Sequence, residues 1–390
     1  GKFHTSWGDF HSFKNKEALE FECFHMLALN AKCSIGDQLE PKGKLSQPVY
    51  ELIGSVYSQI EAKEAWCKRA KPLTDIGVFT PEEFQIASDS QLTPSIIGVT
   101  RMLQEGGHQF DIIDSHSDIS KYKVVILPDK IPVSEEFAEK LERYIEAGGS
   151  IIASYESGLD ETKSAFNLKA LGVELKGPAP YSPDFIIPQG EIGKGLPQTE
   201  HVMYMKGLEV EPAADAQVLA YTAIPYFNRT WQHFCSHRHT PSSGKTGYPG
   251  IIKHGQAIYF MHPIFAQYNQ NAPRWCKQLF LNAVDMLLPE PLVKHSGPST
   301  IIATLNEQAE YNREVLHLLH YIPERRSADI DIIEDIIPLY NIKVSIKAEG
   351  SVSSVRCVPQ GDELEFQARD GRIEFVVPEV YGHQMVEIKM

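Results

Sequence analysis

The sequence predicts an α/β fold class that closes in an all-β part, and three observations predict it. Strand-then-helix segments with glycine stops recur between Asp75 and Ser154. The stretch from His4 to Lys63 repeats a strand–helix pattern, and from Val293 onward only short alternating runs remain. Repeated β-then-α units imply a parallel, doubly wound sheet, whereas period-two runs broken by turn residues imply an antiparallel β-sandwich.

Taken in order, the opening reads as a strand end at Trp7 and Asp9, a helix from Ala18 to Leu29, a strand from Lys32 to Ile35, a polar loop from Gly36 to Gly43 and a helix from Pro48 to Lys63. In parallel βα architectures the loops after strand ends carry the chemistry. A β/α barrel needs eight such units, so this opening is either a truncated barrel or a small cap. The linker KRAKPLT, with Pro72, closes it. Next come strand Ile76 to Thr80, helix Thr93 to Glu105, strands Phe110 to Ile113 and Tyr122 to Leu127, helix Ser134 to Ala147 and strand Ser150 to Ser154. Gly106-Gly107 and Gly148-Gly149 stop the helices, and Ser134 followed by Glu135 and Glu136 caps the second one. Pro- and Gly-rich pieces then interrupt the pattern up to Gly250, with short strands HVMYM and QVLAYTAI. The sheet resumes with GIIKHG and QAIYFM before a helix from Pro273 to Leu288. Seven short runs from TIIATLNEQ to MVEIKM form the closing sandwich.

With 390 residues and 42% hydrophobic content, the chain has room for two or three cores. A formal charge of −14, from 51 acidic against 37 basic side chains, opposes a phosphate backbone, so nucleic acid is not an expected ligand. The six cysteines lack CxxC spacing and read as buried thiols of a cytoplasmic protein. No apolar run approaches the roughly 20 residues that span a bilayer, and the first residues carry no secretory pattern, so no membrane partner is expected. Neither GxGxxG nor GxxxxGK[ST] occurs, which gives nucleotide cofactors no support.

HTSWGDF, CSIGDQLEPKG, NRTWQHFCSHRHTP and YFMHPIFAQY followed by NAPRWCKQLFLNAVDMLLP resemble the C-terminal part of bacterial glycoside hydrolases related to family 42 β-galactosidases, a group with α-L-fucosidase-like members. The resemblance implies three parts: the final βα units of a catalytic TIM barrel over 1–71, a β-galactosidase trimerisation-like domain with the class I amidotransferase fold over 72–291, and a C-terminal β-sandwich over 292–390. It also implies cleavage of galactoside- or fucoside-like O-glycosidic bonds, a carbohydrate partner, a dimer or trimer, and no cofactor. Two of eight barrel units cannot close a barrel, so the chain alone is expected to be inactive. Family 42 enzymes place a glutamate nucleophile at the end of the seventh barrel strand, where this sequence offers Trp7 and Asp9; their general acid lies on the fourth strand, in a part of the barrel this chain does not contain. The alternative function is a non-catalytic oligomerisation and carbohydrate-binding module.

Glycoside hydrolysis normally uses two carboxyl groups about 5 to 9 Å apart. Asp9 and Asp37, each just after an expected strand, are the catalytic candidates; the plainer alternative is that Asp9 caps a helix and Asp37 orders the Gly36 turn. Trp7 offers an indole face to a pyranose or fills the barrel mouth, His4 offers a hydrogen bond to a hydroxyl, and Glu40 reads as solvated. The run Trp231 to His239 is the second constellation. Were it one extended strand, His233, Cys235, His237 and His239 would share a face, but at about 3.3 Å per residue the outer pair would lie roughly 20 Å apart, too far for one tetrahedral metal. It reads instead as a polar loop whose His233, His237 and His239 contribute to a sugar pocket in this subunit or a neighbour, or as a loop held by its own hydrogen bonds. The third is the turn ASYESGLDE after the strand ending at Ser154, where amidotransferases carry a cysteine nucleophile. No cysteine is present, so Ser154 and His262 read as a silent remnant; a hydrolase centred on either one would need them within hydrogen-bond reach.

Overall fold

A computed structural model describes residues 11–37, 39–84, 93–348 and 350–390. Two compact units emerge. One combines the described residues of Gly1–Thr74 with Gln104–Gln109 and Pro291–Met390; the other combines Asp75–Leu103 with Phe110–Glu290. Among the described residues no helix is long and apolar enough to cross a membrane.

The first unit opens with helices α1 (Lys16–Ala28) and α2 (Gln47–Cys67). Leu19, Cys23 and Leu27 recur at four-residue spacing and form the buried face of α1. Pro48 sits in the first turn of α2, where its missing N–H has no intrahelical partner to lose. The expected strand from Lys32 to Ile35 is irregular chain. A strand exists only where a neighbour takes its backbone groups, and no described strand pairs with this segment. The Cys33 thiol instead donates to the Cys23 carbonyl at 3.2 Å, and the Tyr57 hydroxyl donates to the Cys33 carbonyl at 3.3 Å.

The second unit is built on β1 (Ile76–Phe79), α3 (Pro94–Glu105), β2 (Phe110–Ile113), β3 (Val124–Leu127), α4 (Glu135–Glu146), β4 (Ser150–Ser154), β5 (Asp184–Pro188), β6 (His201–Met203), β7 (Gln217–Pro225), β8 (Ser242–His254), β9 (Ala257–Phe260), α5 (Ile264–Asn271) and α6 (Arg274–Leu287). These strands form one sheet in the order β2-β1-β3-β4-β9-β8-β7-β5-β6. The half from β2 to β9 is parallel. Along β3 the side chains alternate: Val124 and Ile126 pack with Val99, Met102, Phe265 and Phe280 of α3, α5 and α6, while Val125 and Leu127 pack with Phe137 and Leu141 of α4. Helices thus cover both faces, which is why these strands read as continuous apolar runs. Ser134 caps α4 as expected, its hydroxyl accepting from the Phe137 N–H at 3.2 Å.

The other half, built from segments beyond the repeated β-then-α units, is antiparallel through β9, β8, β7, β5 and β6. A parallel return needs a crossover of a dozen or more residues, usually a helix, and none separates β8 from β9. They are joined by Gly255 and Gln256, with Gly255 at φ +52° as a tight hairpin requires.

One buried carboxylate stitches the parallel half together. Asp129, just past β3, accepts from the Ser154 hydroxyl at 2.7 Å and from the Ala266 N–H at 2.7 Å, while its own N–H donates to the Ser154 oxygen at 2.8 Å. The ends of β3 and β4 and the first turn of α5 therefore meet on one side chain, placed where the helix N-terminus favours a negative charge. Burial pushes the Asp129 carboxyl up to about 6 despite these donors.

The rest of the first unit is a sandwich of β10 (Val293–His295), β11 (Ile301–Gln308), β12 (Arg313–His320), β13 (Leu339–Lys347), β14 (Ser354–Val358), β15 (Phe366–Arg369), β16 (Arg372–Val380) and β17 (His383–Lys389). One sheet runs β11-β12-β17-β14, extended at its ends by Lys71–Pro72 and Asp362–Glu363; the other runs β10-β13-β16-β15. Ile342, Val344, Ile373 and Phe375 of the second sheet pack against Leu305, Leu316, Leu318 and Val386 of the first. The outer face of β12 is buried too, because Leu319 packs with Leu19, Phe24 and Val56 of α1 and α2, and Val315 packs with Trp66. Glu387 on β17 fastens this layer. It accepts from the Trp66 indole at 2.8 Å and the Arg356 guanidinium at 2.7 Å and pairs with Arg313. Burial alone would raise the Glu387 carboxyl, but these donors outweigh it and hold it below the usual range.

Two measurements check this packing. A Cβ on Gly98 of α3 would lie 2.0 Å from the Phe265 carbonyl oxygen at the start of α5, so Gly98→Ala is expected to cost about 1–3 kcal/mol in chemical denaturation; an unchanged midpoint would refute the close approach. Because the Asp129 pKa is raised on folding, its contribution to stability is complete below about pH 4 and is lost as pH rises through about 6. Relative to Asp129→Asn, the native protein is expected to lose on the order of 3 kcal/mol between those limits, and a difference that does not vary with pH would contradict it.

Candidate functional site

The residues singled out by sequence fall in three places. His4, Trp7 and Asp9 lie outside the described residues. Asp37 is exposed in the irregular loop between α1 and α2, directly after Gly36, and Glu40 is half-buried further along it, its carbonyl accepting from the Gly43 N–H at 2.7 Å.

The second place is the long connection between β7 and β8, residues 226–241, which carries the imidazole run as a bent loop and not as a strand. Its base is closed by the Tyr226 N–H donating to the Pro241 carbonyl at 3.2 Å and by Asn228, whose amide donates to the Pro180 carbonyl at 2.8 Å. Inside it, the Arg229 guanidinium donates to the carbonyls of His237 and Arg238 at 2.8 and 2.6 Å. The Cys235 thiol points to the carbonyls of His237 and His239, and the Thr230 N–H donates to the His233 carbonyl at 2.7 Å. These bonds consume backbone groups and leave side chains outward: His233 and His237 are exposed. His239 turns inward beside Phe185 and Tyr204, its Nδ1 buried without a hydrogen-bond partner.

The sequence reading missed how apolar this loop is. Tyr226, Phe234 and Trp231 are 68%, 70% and 85% exposed, among the most exposed large side chains described. The signal was present in YFNRTWQHF, where aromatics alternate with polar groups between two strands. Exposed aromatic rings beside imidazoles and amides can stack on a sugar's C–H face while hydrogen-bonding its hydroxyls.

The third place is the turn after β4. Ser154 is wholly buried and its hydroxyl is committed to Asp129, while the Ser157 oxygen accepts from the Ile131 N–H at 3.1 Å. His262 is equally buried and its Nε2 meets the Asp184 carboxylate at 2.7 Å; the Tyr248 hydroxyl donates to the other Asp184 oxygen at 2.6 Å. Burial and then the Asp184 charge hold the Tyr248 phenol well above its ordinary value. Ser154 and His262 thus serve different carboxylates and share no hydrogen bond, so a nucleophile–base pair between them is not formed. The strained position of the turn belongs to Tyr155, at φ 52°, whose carbonyl accepts from the Tyr259 hydroxyl at 2.6 Å. A left-handed residue at a strand-end turn is how a nucleophile elbow presents its side chain, and here that side chain is a half-buried phenol, pushed up by burial and so further from ionisation.

Comparison with known proteins now bears on these sites. Residues 100–177 match the model of the β-galactosidase trimerisation domain. β-Galactosidase BgaA of Planococcus sp. (strain 'SOS Orange') is 41% identical over 68 residues, 17% of this chain and 10% of that protein. Among solved structures, α-L-fucosidase isoenzyme 2 from Paenibacillus thiaminolyticus is 38% identical, with a TM-score of 0.94 over 100% of this chain and 59% of that one. A β-galactosidase from Bacillus circulans sp. alkalophilus shares the fold at 16% identity, with a TM-score of 0.63 over 98% of this chain and 53% of that one. The chain therefore spans little more than half the length of these solved proteins. The matched trimerisation domain, the identity with a fucosidase and the shared fold together relate this chain to the family 42 glycoside hydrolases.

Proposed function

We propose that this chain works within a glycoside hydrolase that cleaves galactoside- or fucoside-like O-glycosidic bonds and assembles as a homo-oligomer. The observation that carries this reading is the 38% identity, across the whole chain, with a protein named as an α-L-fucosidase. In this reading residues 1–71 contribute the last βα units of a TIM barrel, with α1 and α2 as their helices, and Asp9 and Asp37 supply carboxylates while His4 and Trp7 contact sugar. Residues 72–291 form the assembly domain, of amidotransferase-like ancestry. The parallel order β2-β1-β3-β4-β9, helices on both faces and a left-handed Tyr155 at the elbow support that ancestry, and the phenol there supports its silence. Residues 292–390 form the closing sandwich.

The loop 226–241 is the sugar-contacting part of the assembly domain. Trp231 stacks on a pyranose face and His233 and His237 hydrogen-bond its hydroxyls, while the inward His239 supports the loop beside Phe185 and Tyr204. Six free thiols fit a reducing, cytoplasmic setting.

The test is hydrolysis of 4-nitrophenyl α-L-fucoside and β-D-galactoside by the gene product with any residues that precede Gly1 present. Turnover of one of the two is expected, with Trp231→Ala raising KM by about tenfold, a loss of about 1.4 kcal/mol. Turnover of neither, with sugar binding retained, would sink the enzymatic reading.

A further inference from the structure

A cavity of about 680 Å³ lies in the first unit, where α2 meets the β16–β17 turn and the segment after β14. Lys63, Gln360, Asp362, Glu379, Tyr381 and Gln384 line it. Lys63 is only 8% exposed, and its ammonium sits 3.4 Å from the Phe24 ring centroid. It has no hydrogen-bond or ion-pair partner among the described residues, and burial pushes it down to about 8. His383, which also lines the cavity, is as deeply buried; its Nε2 faces His317 Nδ1 at 3.1 Å and its own Nδ1 has no partner. The His383 Nδ1 is sealed from the cavity, whereas the Lys63 ammonium, with an aromatic face but no hydrogen-bond acceptor, gains from an occupant that accepts from it.

The wall also says what kind of occupant. Asp362, Glu363 and Glu379 outnumber the single ammonium, which disfavours an anion. Carboxylates accept, the ammonium donates, and the amides of Gln360 and Gln384, paired with each other at 3.2 Å, do both. Hydroxyl groups, which donate and accept, suit such a mixed wall. Tyr381, 61% exposed, adds an aromatic face. Its turn is fixed by Gly382: φ is +68°, and a Cβ there would come within 2.5 Å of the Tyr321 hydroxyl. The volume lies within the roughly 300–1,000 Å³ of small-molecule pockets. We propose that this cavity binds the pyranose ring of a neutral sugar, with Lys63 and the carboxylates on its hydroxyls and Tyr381 against its C–H face. The site carries no chemistry of its own, and the proposal stands whether or not the hydrolase reading holds.

The experiment is saturation-transfer NMR titration of the full chain with D-galactose, L-fucose and lactose, repeated on Tyr381→Ala, Lys63→Met and Trp231→Ala. Saturable binding of at least one sugar is expected. Tyr381→Ala should weaken it by about tenfold or more, Lys63→Met similarly, and Trp231→Ala should leave that component in place. No saturable binding of any of the three sugars would overturn the proposal. So would binding that Tyr381→Ala weakens less than tenfold; that variant alters an exposed side chain and remains decisive should Lys63→Met fail to fold. A raised KM in Trp231→Ala with this binding intact separates the two sites.

Discussion

The parallel half of the second unit depends on a carboxylate that burial makes expensive to ionise. Asp129 joins the ends of β3 and β4 to the first turn of α5, and each of its donors is a group that those ends would otherwise leave unpaired. A strand end and a helix start are the places where backbone hydrogen bonds run out. Taking the Ser154 hydroxyl and the Ala266 N–H on one carboxylate, while Ser154 answers the Asp129 N–H, fixes the turns after β3 and β4 relative to α5 more tightly than apolar packing alone, because hydrogen bonds are directional where burial is not.

The same logic recurs at Asp184–His262–Tyr248 and at Glu387–Arg313–Arg356–Trp66. Each contains residue types that catalysis uses, and in each the carboxylate is buried and consumed by its neighbours. Removing one member would leave the others charged or polar and unpaired in a low-dielectric interior. Their chemistry is therefore spent on the fold, and the side chains left for ligands are those that project from loops or line the cavity beside α2.

Much of the fold was legible in the sequence because local signals and global structure agree there. Glycine stops at Gly107 and Gly148, both at positive φ, and the hydroxyl cap at Ser134 mark the helix ends between β1 and β4, and the apolar runs between them could only be doubly covered strands. The direction of the other half was not legible, because strand order and direction depend on what connects the strands, and the proline-rich segments carry no periodic signal of a crossover helix. The strand expected at Lys32–Ile35 failed because a strand is defined by its neighbour. The imidazoles of the loop 226–241 could be picked out by type, whereas its outward aromatics could not be told from core residues. The sugar-sized cavity was illegible: Lys63, Gln360 and Tyr381 come from distant parts of the chain, and nothing local to any of them announces the others.

The two ends of the nine-stranded sheet carry a further consequence. At one end β2 is four residues long, and its Asp111 is engaged by the Tyr122 hydroxyl at 2.8 Å and the Lys121 ammonium at 3.0 Å; at the other, β6 is three residues long. An edge this short, or this charged, offers a poor template for another chain's backbone. Open-ended growth of this sheet by pairing with another chain's strand is thereby disfavoured at both edges.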